Sequence, residues 1–181
     1  MEAVLIGYFP KRTVPRPEWL QAPQVLEICS ASCCISEAPD GWINQWRHNE
    51  QWLYDSPALA LSLVPQEVRE QWDLYAFARY PIVFDEGEVM DDPILAEGVE
   101  PLPDDFEFLG FDAVSCSTGN SLECSPLSCN GVAEEWPTNQ FCLFDSLEAA
   151  LDGAKKFSRS EIGCEPGPYC VVKVYRQKGS S

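Results

Sequence analysis

A stretch of 75 residues, 80–154, contains neither lysine nor arginine, and this constrains the chain more than any other feature. It carries 17 carboxylates, whereas the other 106 residues hold all 12 basic side chains and the remaining 12 acids, whose charges cancel. The whole formal charge of −17 therefore belongs to one continuous block. Concentrating like charge raises the electrostatic field that an approaching molecule experiences. The sequence thus predicts a strongly anionic domain with a positively charged partner.

The size and composition predict one folded domain. A chain of 181 residues, 45% hydrophobic and with six tryptophans, can bury a core, whereas disordered chains have few aromatic residues. Strands and helices follow one another in a mixed order, which favours an α+β fold: a mainly antiparallel sheet with helices packed on one side. No internal repeat is evident. The predicted strands are 3–9, 74–84, 106–114, 140–144 and 169–175.

Local signals place three helices. Trp42 and Trp46 are four residues apart, which suits one helix face within 42–54. Ser56 followed by Pro57 is a typical helix start and predicts a helix over 58–64. Ser146 precedes the strongest helix, 147–157, whose acid comes early and whose lysines come late, as the helix dipole favours.

We divide the chain into a domain over 1–176 and a flexible tail over 177–181. Within the domain, 85–105 is predicted to be an acidic, loop-rich insert and 115–139 a loop rich in Cys, Ser and Asn. Residues 11–17 are expected to be an extended basic segment on the surface.

The acidic insert is the predicted partner-binding site, since long loops in compact domains tend to be functional. Its carboxylates are Asp85, Glu86, Glu88, Asp91, Asp92, Glu97, Glu100, Asp104 and Asp105.

The nine cysteines favour reduced thiols over disulfides or metal ligands. Their number is odd, no export signal precedes them and a chain of this length needs no covalent staples. No C-x-x-C pair is present, so we predict no metal and no cofactor. Spacing alone leaves open whether two groups bind a metal after folding: Cys29, Cys33 and Cys34, and Cys116, Cys124 and Cys129.

No motif indicates catalysis, and we predict no catalytic residue. The only histidine is His48, and the chain has neither a G-x-S-x-G elbow nor a phosphate-binding glycine loop. The alternative is an enzyme with a non-contiguous site, built from Cys33, Cys34 and His48 or from carboxylates and a metal ion, because such sites are recognised by geometry.

Composition also bears on partners and location. The negative charge disfavours direct binding to nucleic acid, which depends on Lys and Arg. No apolar run approaches the length of a membrane span, and Glu2 with a short apolar run does not match a secretory signal. We therefore expect a cytoplasmic protein without membrane contact.

In general character, a compact anionic domain without a catalytic motif resembles the immunity proteins that bacteria keep against nuclease toxins. The resemblance covers composition and no particular motif. It implies an acidic protein that binds and neutralises a basic protein, since an acidic partner is steered into the positive groove of a nuclease. A role in which acidity serves solubility alone is the remaining alternative.

Overall fold

The computed structural model describes residues 1–32, 34–35, 38–39, 48–116, 121–159, 164–165 and 167–179. Its strands are β1 Val4–Lys11, β2 Val14–Pro15, β3 Glu27–Ile28, β4 Asp73–Asp85, β5 Glu88–Asp91, β6 Phe106–Ser115 and β7 Tyr169–Gln177. Its α-helices are α1 Pro57–Leu61, α2 Pro126–Cys129 and α3 Leu147–Phe157. Two 3₁₀ helices cover Gln66–Gln71 and Val132–Glu134.

The main sheet is antiparallel and has the order β1-β4-β7-β6, with β5 paired to the end of β4. Strands β2 and β3 form a separate small sheet. Helix α1 packs against β1 and β4, and α3 packs against β4, β6 and β7. The predicted α+β fold, with helices on one side of an antiparallel sheet, is confirmed.

The sheet is buried on both faces, as strand β7 illustrates. Successive residues of a strand point to opposite faces. Tyr169 and Val171 belong to the core cluster that includes Phe157 of α3, whereas Cys170 and Val172 belong to the other cluster.

The four long strands of the main sheet, with α1 and α3, form two copies of one unit. The first repeat contains β1, a turn at 49–54, α1 and β4, and the second contains β6, a turn at 139–144, α3 and β7. In each repeat the turn forms an isolated antiparallel bridge to the first strand, between Tyr8 and Tyr54 or between Phe111 and Phe144. The expectation that the chain has no internal repeat is wrong.

In the first repeat, an asparagine holds the turn to the strand. The Asn49 side-chain oxygen accepts hydrogen bonds from the backbone N–H of Gln51 (2.9 Å) and of Leu53 (3.1 Å). Its amide nitrogen donates to the Ile6 carbonyl (2.9 Å), immediately before Gly7. One side chain thus satisfies three backbone groups on two elements.

The second repeat uses the same contacts. The Asn139 side-chain oxygen accepts from the backbone N–H of Phe141 (2.9 Å) and of Leu143 (3.2 Å). Its amide nitrogen donates to the Leu109 carbonyl (2.8 Å), immediately before Gly110.

A glycine allows this close approach in each repeat. Gly7 and Gly110 have φ of +142° and +149°, and the strand pairing shifts register at both. A Cβ on Gly7 would lie 2.7 Å from the Leu53 Cβ, and one on Gly110 would lie 2.9 Å from the Leu143 Cβ. Any larger residue would push the turn off the strand.

The pairing registers relate the repeats by a pseudo-twofold axis. Gly7 pairs with Phe77 on β4, and Gly110 pairs with Val174 on β7. Phe77 and Val174 in turn pair with each other across the β4–β7 interface. Exchanging the repeats therefore maps this central pair onto itself.

The sequence conceals the repeat because little of it is shared. Residues 49–56 and 139–146 agree only in Asn, Leu, Asp and Ser at four of eight positions. The glycine precedes the asparagine by 42 residues in the first repeat and by 29 in the second, so the spacing differs as well.

Four local predictions need correction. Of the predicted helix 42–54, residues 48–54 form a turn and the segment with Trp42 and Trp46 lies outside the described residues. Residues 140–144 also form a turn, and the acidic insert contains strand β5. Lys11, expected on the surface, is 1% exposed.

Candidate functional site

Most of the carboxylates predicted to bind a partner face solvent. Asp85 and Asp92 are half-buried. The exposed ones are Glu86, Glu88, Asp91, Glu97, Glu100, Asp104 and Asp105. The structure distributes the nine over the β4–β5 hairpin, the segment 92–100 and the turn before β6.

The hairpin is fixed to the rest of the domain. The backbone N–H of Gly87 donates to the Ser158 hydroxyl at the end of α3 (3.0 Å), and the Arg159 side chain lies against Gly87. The Asp92 carboxylate pairs with the guanidinium of Arg79, which is only 2% exposed. Asp92 thus compensates a buried cation, whereas Glu86, Glu88 and Asp91 of the hairpin face solvent.

Part of the acidic surface forms a cleft of about 290 Å³, hereafter the acidic cleft. The walls carry the carboxylates of Glu50, Asp55 and Glu97, and neither lysine nor arginine is among the described residues that line it. Its remaining lining residues are Asn49, Leu95, Ala96 and Val99. Carboxylates beside apolar side chains suit a partner side chain with an aliphatic stem and a cationic end.

Hydrogen bonds hold the two walls together. The backbone N–H of Glu100 donates to the Asp55 carbonyl (2.8 Å), and the Tyr8 hydroxyl donates to the Glu100 carbonyl (2.9 Å). Burial and the Glu100 carboxylate raise the pKa of Tyr8 to about 12, so the hydroxyl remains a donor at neutral pH. The Asn49 amide also donates to the Asp55 carboxylate (2.9 Å).

A second candidate is a group of three thiols, hereafter the thiol cluster. The sulfur atoms of Cys34, Cys124 and Cys129 all lie within 4.8 Å of one another. Cys34 is exposed, Cys129 is half-buried and Cys124 is buried. The cluster lies where the loop after β3 meets the segment that contains α2.

Buried polar groups anchor the loops that carry these thiols. The Lys11 ammonium donates to the Ser30 carbonyl and to the Ser32 carbonyl (3.0 Å). The Asp112 carboxylate, which is fully buried, accepts from the Ala31 N–H (2.9 Å) and from the Ser125 hydroxyl (2.7 Å). Side chains of β1 and β6 therefore fix the backbone beside the cluster.

The three thiols also influence one another. Hydrogen bonds from Cys124 and Cys129 hold the pKa of Cys34 well below that of an ordinary thiol. The same contacts, together with burial, raise the pKa of Cys124. Protons leave such a coupled group in successive steps that belong to the group as a whole.

The fold divides both cysteine groups that the sequence suggested. Cys34 joins two members of the other group, whereas Cys29 and Cys116 lie elsewhere. The buried Cys29 thiol accepts a hydrogen bond from the Tyr75 hydroxyl (3.5 Å), and burial raises its pKa to about 11. The Cys116 thiol donates to the Pro168 carbonyl (3.4 Å). Cys33 lies outside the described residues.

His48, the histidine of the alternative enzyme hypothesis, stacks on Trp52 with 4.5 Å between ring centroids. Among the residues that the structure describes, no histidine joins the three thiols. The geometry therefore supplies no cysteine–histidine pair there.

Sequence reasoning missed Glu50 and Asp55, the cleft carboxylates from outside the insert. The turn at 49–54 places both carboxylates at the cleft beside 95–99, a contact that only the fold creates.

Comparison of the chain with family models, with curated proteins and with solved structures finds no match. Within the described ranges, no helix is long and apolar enough to cross a lipid bilayer.

Proposed function

We propose that this protein binds a cation-rich protein, and that a lysine or arginine of the partner enters the acidic cleft. The observation that carries the proposal is the cleft itself, which Glu50, Asp55 and Glu97 line together with apolar residues and without a basic residue among its described lining. A partner's aliphatic stem packs on Leu95 and Val99 while its charged end meets the carboxylates.

The exposed acids of the β4–β5 hairpin and of the turn before β6 support the same role. They extend the negative surface beyond the cleft and increase the rate of encounter with a positive partner. In its narrower form, the proposal is an immunity-type inhibitor that covers the basic groove of a toxin such as a nuclease.

A fluorescent oligolysine peptide is a suitable first probe. Replacing Glu50→Gln and Glu97→Gln together should weaken its binding roughly tenfold at low salt, since two exposed ion pairs contribute about 1.4 kcal/mol. The matched control, Glu135→Gln with Glu148→Gln, removes the same charge from exposed positions of the second repeat. Equal losses in both double variants would show that only net charge matters and would contradict a specific cleft.

The acids outside the cleft are tested by association kinetics. Asp92 must be left intact, because its removal would strand buried Arg79 without a counter-charge. Glu88→Gln, Asp91→Asn and Asp104→Asn together should slow association with the peptide while changing its dissociation little. An unchanged association rate would remove these acids from the proposed surface.

The inhibitor form requires a functional readout. We expect a basic nuclease that binds the protein to lose activity, and to regain it when the salt concentration is raised or the cleft variant is used. A nuclease that binds yet stays fully active would contradict inhibition while leaving the binding role in place.

A further inference from the structure

We propose that Cys34, Cys124 and Cys129 bind a zinc ion. Three sulfur atoms within 4.8 Å of one another are close to the arrangement that zinc requires. Zinc–sulfur bonds of about 2.3 Å at tetrahedral angles place sulfur atoms about 3.8 Å apart. The thiols reach that geometry with shifts of about 1 Å, which side-chain rotation supplies.

The backbone around two of the thiols is fixed before any metal binds. The N–H of Cys124 donates to the Ser115 hydroxyl (3.0 Å), and its carbonyl accepts from the Ser115 N–H (2.8 Å). The N–H of Cys129 donates to the Ser125 carbonyl (2.8 Å) within α2. A site held in place in this way loses little conformational entropy on binding.

The third thiol is fixed through Ser32. The Ser32 hydroxyl donates to the Glu123 carbonyl (2.7 Å) and accepts from the Cys34 N–H (3.1 Å), so it joins the two loops. The Lys11 ammonium donates a hydrogen bond to the Ser32 carbonyl (3.0 Å). Such supporting bonds orient the ligands of a metal ion.

The donor set selects a soft cation. Thiolates favour zinc, whereas magnesium and calcium require oxygen ligands. No carboxylate of the described residues joins the three sulfur atoms. Because Cys34 is exposed, solvent reaches the cluster and can supply the fourth tetrahedral ligand. Binding converts the three thiols to thiolates and releases their protons to solvent.

Cobalt provides the first test, since its bonds to thiolates absorb light. The full chain, purified in a reductant, is titrated with Co²⁺. We expect a thiolate-to-cobalt charge-transfer band that saturates at a single metal per chain and disappears when Zn²⁺ is added. A cobalt complex without that band would overturn the proposal.

Cys34→Ser is the decisive variant, because the exposed thiol can be replaced without loss of core packing. Cys164→Ser is the control, a buried cysteine outside the cluster. In competition with a chromophoric chelator, zinc affinity should fall about 100-fold or more for Cys34→Ser and stay unchanged for the control. Equal zinc affinity in the two variants would overturn the assignment.

A disulfide between two of the thiols is the competing outcome. Thiol counting and metal analysis on the same protein, purified without reductant, distinguish the two. Bound zinc that leaves with a chelator and exposes three further thiols supports the proposal. The loss of two thiols with no bound metal would replace it with a disulfide.

Discussion

The two repeats share a scaffold and differ in what covers it. In the first repeat, the turn at 49–54 borders the acidic segment, since the Glu100 N–H bonds to the Asp55 carbonyl. In the second repeat, β3 covers the turn at 139–144, and the N–H groups of Leu26 and Glu27 both donate to the Gln140 carbonyl. The shared residues therefore build the backbone, and the candidate sites lie where the repeats diverge.

The two turns also differ in the charges that surround them. The first-repeat turn carries Glu50 into a cleft without a basic residue among its described lining. At the equivalent position the second repeat has Gln140, and the neighbouring cleft contains an ion pair of 2.9 Å between Arg176 and Glu27. One turn thus borders a cleft whose described charged residues are all acidic, and the other lies beside an ion pair.

The largest effect is expected from replacing the glycines that define the repeat. Gly7→Ala and Gly110→Ala each add a Cβ within 3 Å of the turn at positive φ, so each should cost about 3 kcal/mol or more of unfolding free energy. Gly98→Ala is the matched control, since Gly98 has φ of +94° but no atom near the added Cβ. Denaturant unfolding measures all three. If alanine at Gly7 or at Gly110 cost no more unfolding free energy than alanine at Gly98, the two glycines would not have equivalent roles in the repeats.

The asparagines come next in expected effect. Asn49→Ala and Asn139→Ala should each cost about 2–3 kcal/mol, because each leaves partly buried backbone groups without partners. Gln140→Ala, at an exposed neighbouring position, is the control. Aspartate variants should separate the two repeats. Asn49→Asp places a charge beside Asp55, so it should lower the unfolding free energy more than Asn139→Asp does. Equal costs for the two aspartate variants would contradict that difference.

The repeats differ in chemistry at the position of Asp112, because the equivalent residue of the first repeat is Phe9. Burial raises the pKa of Asp112 in the folded protein, although bonds from Ser125 and Ala31 oppose the shift. The folded state then holds the proton more tightly than the unfolded chain, whose pKa is about 3.9. As the pH rises from the unfolded pKa of Asp112 to its higher folded pKa, the unfolding free energy that protonated Asp112 contributes is lost. Asp112→Asn should remove this decline in unfolding free energy, and parallel pH profiles would contradict the prediction.

The sequence predicts those elements whose signals are local. Helix α3 follows from Ser146 and from Glu148 early with Lys155 late, and β6 coincides with the predicted strand 106–114 to within one residue. The turns at 49–54 and 139–144 were predicted wrongly, because the side-chain contacts of Asn49 and Asn139 that define them leave no periodic pattern in the sequence.

The sites depend on chain segments that only the fold brings together. Cys34 meets Cys124 and Cys129 about 90 residues away, which follows from the sheet order and not from spacing. Lys11 and Asp112 look like surface charges, but they lie on outer strands of the sheet beneath the same loops and are buried there. Local hydrophobicity does not indicate a buried charge whose partners come from other elements.

The smallest effect is expected at the helix caps, where the repeats again differ in burial. Ser56 accepts a bond from the Leu59 N–H in a half-buried position (3.2 Å), and Ser146 accepts the equivalent bond from Ala149 in an exposed one (3.2 Å). Water can replace the lost partner only at the exposed cap. Ser56→Ala should therefore cost about 1–2 kcal/mol and Ser146→Ala about 0.5–1 kcal/mol of unfolding free energy. Threonine at each position, which keeps the hydroxyl, should restore most of the loss. A larger cost at Ser146 than at Ser56 would show that helix length, rather than burial of the cap, decides how strongly each repeat depends on it.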